Sequence, residues 1–191
     1  MRIEIAIRAL GEAERPVDIK SELVHSDQHR RRRVATQSST DRVRAALLAA
    51  GIEDRIVEFP DGTKTSADAA AAVGCSVAQI AKSMVFRSGS RAVVVITSGA
   101  NRVDASKVAA VLGLPIKRAD ANFVREATGF AVGGVSPVGF TSAPIMLFDQ
   151  DLLGLGTVWA AAGSHSHVFP IAATDLLRIS GAKLADVRVD D

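Results

Sequence analysis

Tyrosine is absent from this 191-residue chain, and cysteine and tryptophan occur once each. A lone Cys75 cannot close an intrachain disulfide. That excludes the disulfide-stapled small domains and suits a reducing compartment. Aromatic residues make up only 4% against 48% hydrophobic residues overall, so the core must rest mainly on Ala, Val, Leu and Ile. No apolar run approaches the roughly 20 residues of a membrane-spanning helix. Ala92–Ile96 has only the length of a strand. The N-terminus lacks the charged-then-apolar order of a signal peptide. These absences read as a cytoplasmic protein with no membrane partner. There is also no G-x-S-x-G elbow and no sign of a Ser-His-Asp triad.

An excess of charge is missing as well. The formal +2 lies wholly in residues 1–38, which hold eight Lys/Arg and six Asp/Glu, while residues 39–191 hold fifteen of each. A neutral body cannot hold nucleic acid through bulk charge; it needs a local patch. Residues 1–38 end in His29-Arg30-Arg31-Arg32-Arg33 and read as a disordered N-terminal extension. The alternative for the arginine run is an RNA-contacting arm. Met1–Ile7 alternates weakly, as a strand would. Residues 39–191 read as one folded domain.

At the start of that domain, Ser38-Ser39-Thr40-Asp41 followed by Val43, Ala46, Leu47 and Ala50 reads as a capped helix that Gly51 closes. Ile56–Phe59 is a short strand and Pro60-Asp61-Gly62 a turn. Thr65 to Asp68 has capping-box spacing ahead of an alanine-rich helix. Lys82–Arg87 and Ala92–Thr97 form a hairpin across Ser88-Gly89-Ser90. Asp104–Leu112 is a helix ended by Gly113, and Asp120 or Asn122 caps another through Ala127 that Gly129 stops. Ile145–Phe148, Thr157–Ala161 and Val168–Ile171 are strands, the last an edge because it contains Pro170. Thr174 caps Asp175–Ile179, and Leu184–Val187 ends the chain in extended form. Strands and helices mix without strict alternation. The fold class is α+β, with a curved, mixed but mainly antiparallel sheet and surrounding helices.

Chemistry concentrates in three places. Gly133-Gly134-Val135-Ser136-Pro137-Val138-Gly139 crowds three glycines around a proline. Such a loop can hold unshielded backbone N–H groups at fixed angles, as an oxyanion clamp, or it can be a tight turn. Ser136 has no base beside it in sequence. Lys82 sits in the apolar strand Ile80-Ala81-Lys82-Ser83-Met84-Val85-Phe86. Its ammonium either emerges at a pocket or snorkels to water, and neither gives it much structural purpose. Gly163-Ser164-His165-Ser166-His167 carries an H-x-H spacing compatible with zinc, but no convincing third ligand. No metal is expected there. Ser98–Arg102 joins a strand to a helix. Asp149 and Asp151 read as turn and cap residues.

Lys82 in its strand, the 133–139 loop and the closing turn before Asp175-Leu176-Leu177 together resemble the YbaK/prolyl-tRNA-synthetase-associated editing family. The resemblance covers roughly Thr40 to Val187. It implies a mixed sheet with a pocket on its open side and hydrolysis of the ester of mischarged aminoacyl-tRNA without a cofactor. The amino acid would be small, such as cysteine or alanine, and the carrier a tRNA for proline. The partner would be the acceptor end of aminoacyl-tRNA, with association with an aminoacyl-tRNA synthetase left open. By the same resemblance Lys82, helped by Ser83, would hold a phosphate or ribose oxygen or polarise the ester. Gly133, Gly134, Val135 and Ser136 would donate N–H groups to it, with Pro137 and Gly139 fixing the loop. A side chain at Gly134 would intrude on the carbonyl site. His167, with Gly163 and His165, would line the amino-acid pocket; Phe59 would lie near it. Gly99 and Arg102 would meet the acceptor end. Relatives carry Lys-Arg-Gly-type turns where this chain has histidines, so the amino acid stays open. A non-catalytic tRNA-end or small-ligand binding module on the same fold is the alternative.

Overall fold

The computed structural model describes residues 37–59 and 65–190. The arginine run, the Met1–Ile7 pattern and the Pro60–Gly62 turn lie outside them. Helix α1 (Ser39–Ala49) leads into β1 (Val57–Glu58) and α2 (Ser66–Val73). A 3-10 turn, Val77–Gln79, feeds the central hairpin β2 (Ile80–Ser88) and β3 (Arg91–Ser98). Then come α3 (Ala105–Leu112), β4 (Lys117–Arg118), α4 (Ala121–Thr128) and β5 (Ile145–Asp149). A second 3-10 segment, Gln150–Leu155, precedes β6 (Thr157–Ala161), β7 (His167–Ala172), α5 (Ala173–Ser180) and β8 (Lys183–Ala185). Among the described residues, no helix is long and apolar enough to cross a membrane.

The helix limits follow the caps. Thr65 and Asp68 close a reciprocal capping box, and Asp104 and Asp120 each accept a backbone N–H of the helix they open. α5 departs from expectation. It starts two residues earlier, at Ala173, with no side-chain cap.

The strands form one sheet in the order β1-β7-β6-β2-β3-β5-β8, with β4 branching onto β2. Pairings β1–β7, β6–β7, β2–β3 and β2–β4 are antiparallel, and β2–β6, β3–β5 and β5–β8 are parallel. This is the expected α+β class. β3 is the hub. Val93 to Ile96 are fully buried, as expected of a strand covered on both faces. Each such side chain contributes roughly 1.5–3 kcal/mol on burial. On one face Ile96 and Phe148 pack with Val43, Val124, Phe130 and Leu176, so α1, α4 and α5 cover that side. On the other, Val93, Val95 and Leu147 pack with Phe86 and Val108, under α3. Pro170 faces Trp159 of β6, beyond the two residues of β7 that β1 covers. The proline therefore stands on the free stretch of that strand's other side.

Candidate active site

The sheet forks at β2. Along one side, Ile80 and Ala81 pair with β6, whereas Phe86 and Arg87 pair with β4. Residues 82–85 lie between these two short ladders. On the opposite side β2 bonds to β3 through its even-numbered residues, in phase with the 2.6 Å bond from Gly99 N–H to the Ile80 carbonyl. Odd-numbered residues point their backbone groups the other way. Ser83 and Val85 thus turn N–H and C=O into the fork.

A cavity of about 490 Å³ occupies this fork, a size typical of small-molecule sites. Its walls come from α2 (Ala69, Val73), β6 (Trp159, Ala160), the Val132–Val135 loop and the β4 end, where Arg118 stands. Side chains alternate along β2. Phe86 belongs to the core under α3, while Ala81 and Val85 belong to the core that includes Val135. Lys82 shares the face of Phe86. Ser83 shares the face of Val85. The lysine and the glycine loop therefore border one cavity from opposite faces of β2, meeting through the gap in the sheet.

Lys82 is tied down. Its Nζ donates to the carbonyls of Gly99 at 3.1 Å and Asn101 at 2.6 Å. Burial pushes its pKa below the usual lysine value, and the charge of Asp149 offsets part of that. The expectation of little structural purpose is corrected: the ammonium clasps the loop after β3. A side chain on Gly99 would collide with the Val77 carbonyl, so this loop is also packed against the 3-10 turn. Ser83 Oγ is buried without a hydrogen-bond partner. Ser83 as a residue lines the cavity, and a ligand that reached its hydroxyl could supply the missing bond.

The glycine loop divides its duties. Gly133, at φ +87°, and Val135 line the cavity. Gly134 does not. Its N–H is spent on the Ala131 carbonyl at 3.0 Å. A Cβ there would lie 2.6 Å from Ser164 Cα. Two expectations are corrected by this. Gly134 is not a free donor, and its missing side chain makes room for the 163–167 turn rather than for a carbonyl. Ser136 is fully buried, and its Oγ accepts the Val138 N–H at 3.4 Å. It offers the cavity no nucleophile. Pro137 is buried in the same loop. Gly139 lies against the backbone of Arg42 and Val43.

The other expected residues lie outside the cavity lining. His167 Nδ1 sits 2.7 Å from Ser164 Oγ and 3.2 Å from Ser166 Oγ, and its Nε2 is 3.9 Å from Glu58. Its ring braces the turn instead of facing the cavity. His165 and Gly163 belong to that turn; Gly163 packs on Ser39. Phe59 is joined to it by a backbone bond to Ser166 at 2.7 Å. Arg102 is exposed, and its carbonyl accepts from Val189. Among the described residues no group of three or more His, Cys, Asp or Glu is placed to hold a metal.

Sequence reasoning passed over two residues. Arg42 donates to the Gly129 carbonyl at 2.7 Å and the Gly139 carbonyl at 3.3 Å, and lies over the Phe130 ring. It staples the helix cap at Gly129, ahead of the glycine loop, and the loop's far end at Gly139 to α1. A helix arginine carries no local sign of this. Arg118 lines the cavity. Its position after Pro115 gave a strand but no hint of the branch onto β2.

A forked sheet whose gap holds a lysine, an unpartnered serine and a glycine loop defines an α+β domain with a built ligand cleft. The model of the aminoacyl-tRNA editing domain matches residues 60–179, and the chain belongs to that family. The protein YwhH of Bacillus subtilis (strain 168), itself uncharacterized, is 30% identical over 133 residues, which is 69% of this chain and 85% of that one. A solved structure described as a candidate trans-editing enzyme for prolyl tRNA synthetase shares 41% identity and a TM-score of 0.75, covering 80% of this chain and 98% of that one. The hypothetical protein APE2540 shares 29% identity and a TM-score of 0.72, covering 78% and 99%.

Proposed function

We propose that the chain is a deacylase that hydrolyses the ester of mischarged aminoacyl-tRNA carrying a small amino acid such as cysteine or alanine, with a tRNA for proline as carrier. The fork at β2 carries this reading. An aminoacyl ester laid across the open edge would meet Lys82 from one face and Gly133 and Val135 from the other. Ser83 would give its hydroxyl and backbone to the ester or the α-amino group. Arg118 would take a phosphate of the acceptor end. Among the described residues the lining contains no carboxylate, so a cationic side chain would find no partner among them, while its Ala and Val walls suit a small neutral one. The reaction is ester hydrolysis by water. The water forms a bond to the acyl carbon, the bond to the ribose oxygen breaks, and that oxygen takes the proton. Lys82 and loop N–H groups would stabilise the negative charge passing through the carbonyl oxygen.

A second reading has its own support. Among the described residues no carboxylate or histidine lines the cavity as a general base, which suits a module that binds the acceptor end without turnover. Substoichiometric protein incubated with a panel of mischarged tRNAs separates the two. Multiple turnovers on alanyl- or cysteinyl-tRNA for proline support the enzyme; binding without release of amino acid from any member overturns it. The likeness to a candidate trans-editing enzyme also supports a working association with a synthetase.

A further inference from the structure

Behind Lys82 lies a polar row that the cavity itself does not contain. Lys82 faces Thr97 across β2–β3. Ile96 stands beside Phe148 across β3–β5, which brings the next residues, Thr97 and Asp149, side by side. Residues in register on adjacent strands project from the same face. Lys82, Thr97 and Asp149 thus line up over three strands spaced about 4.8 Å apart.

Asp149 is fully buried. A buried carboxylate is costly unless its lone pairs are met. Thr97 Oγ1 donates to Oδ2 at 2.5 Å, and Asn101 Nδ2 donates to the same oxygen at 2.8 Å. The Asp151 N–H reaches Oδ1 at 3.1 Å. Asn101 is the link, because its backbone carbonyl is the 2.6 Å acceptor of the Lys82 ammonium. Its amide also donates to Asp151 at 2.9 Å, and Arg188 Nε lies 3.7 Å from that carboxylate. Among the described residues, Arg118 is the other charged side chain on the cavity wall.

We propose that Asp149 and Asn101 form a positioning pair for Lys82: the buried carboxylate fixes the Asn101 amide, and the Asn101 carbonyl, so held, aims the ammonium at the cleft. The catalytic consequence rests on the deacylase reading; the placement of the lysine does not. Asp149 also caps the 3-10 segment that follows, and a purely structural role would end there. Asp149→Asn separates the two. An asparagine still accepts the Asp151 N–H and still bonds Thr97, but it loses the charge and meets Asn101 donor to donor.

The test uses the full chain with 13C-labelled lysine, the Lys82 signal being assigned by its loss in Lys82→Arg. Its titration is followed by NMR without substrate, in wild type, Asp149→Asn and Asn101→Ala. The removal of a nearby negative charge favours the neutral amine. Lys82 in Asp149→Asn is therefore expected to titrate about half a pH unit or more below wild type. kcat/KM on a substrate the wild type clears should fall at least about tenfold, with the alkaline limb of the pH profile moved the same way. In a Lys82→Ala background, Asp149→Asn should add little. A folded Asp149→Asn with unchanged Lys82 titration overturns the proposal. Should that variant not fold, the partly exposed Asn101→Ala decides: a Lys82 signal and a kcat/KM both like wild type overturn it. A shifted titration with no deacylation by the wild type itself keeps the pair and overturns the deacylase reading instead.

Discussion

At the scale of the residue, a lysine in an apolar strand presents two demands at once. It must be desolvated enough to act on a ligand and bonded enough to stay put. Lys82 meets both by donating to two carbonyls of one loop. Lys82→Ala is expected to lower deacylation at least about a hundredfold, or ~2.7 kcal/mol of transition-state stabilisation. It should also cost about 1–2 kcal/mol of stability, a charged donor's contribution reduced by the water that reaches a half-buried group. Chemical denaturation checks the second number. An unchanged midpoint would mean that the clasp on Gly99 and Asn101 contributes nothing. The pH dependence follows from the direction of the shift. Burial lowers the Lys82 pKa below the ordinary 10.5. If the ammonium is the working form, activity falls as pH rises through that lowered value. His167 changes roles between sequence and structure. A ring braced by Ser164 and Ser166 shapes the turn. His167→Ala is therefore expected to lower kcat/KM for alanyl and cysteinyl substrates by the same factor. A changed ratio between them would restore the expected pocket role.

At the scale of the element, three backbone segments are pressed together: the 133–139 loop, the 163–167 turn and the start of α1. Gly134 touches Ser164, and Gly163 touches Ser39. In each case the nearest atoms include backbone that cannot swing aside. Gly134→Ala is expected to destabilise by about 2 kcal/mol, as overpacking does, and to displace the turn. Gly133→Ala meets no atom and pays only for its positive φ, about 1 kcal/mol. Denaturation midpoints should rank the two in that order; the reverse order would mean the close approach is not what the loop requires. Arg42→Ala removes two carbonyl bonds and the stacking on Phe130. It should cost about 2 kcal/mol and lower kcat/KM by loosening the cavity wall. Arg42→Lys should recover little, since a single ammonium cannot reach both carbonyls as a planar fork does. This scale also marks where sequence reading stops. Helix starts at Thr65 and Asp104, and at Asp120 as one of two candidates, were legible because a cap and the backbone N–H it accepts lie within three residues. The glycine loop was legible as a special backbone for the same reason. That Gly134 serves a turn thirty residues away, or that Arg42 staples a loop beyond Thr128, has no local trace. Both depend on tertiary approach.

At the scale of the whole molecule, the cleft is a property of sheet topology. β2 borrows a short parallel partner at one end and a short antiparallel partner at the other, and the unfilled middle is the site. The sequence carried the α+β class and the hairpin at its centre. It could not carry the fork, because strand order is set by packing across the core. Every strand pairing described lies within residues 57–185. α1, the first described helix, adds Val43 and Leu47 to the main core from residue 39 onward. The folded unit thus draws its described core from after the arginine run. A chain beginning at Val34 is expected to fold with the same midpoint as the full chain and to deacylate with the same kcat. If Arg30–Arg33 touch the acceptor stem, the Michaelis constant alone should rise on truncation. The rise should be largest at low salt, where each lost phosphate contact counts most, and should vanish as salt screens it. Equal Michaelis constants at all salt concentrations would remove the arm from the binding surface. A truncated chain that fails to fold would mean that residues before Val34 belong to the domain, and would move its boundary toward Met1.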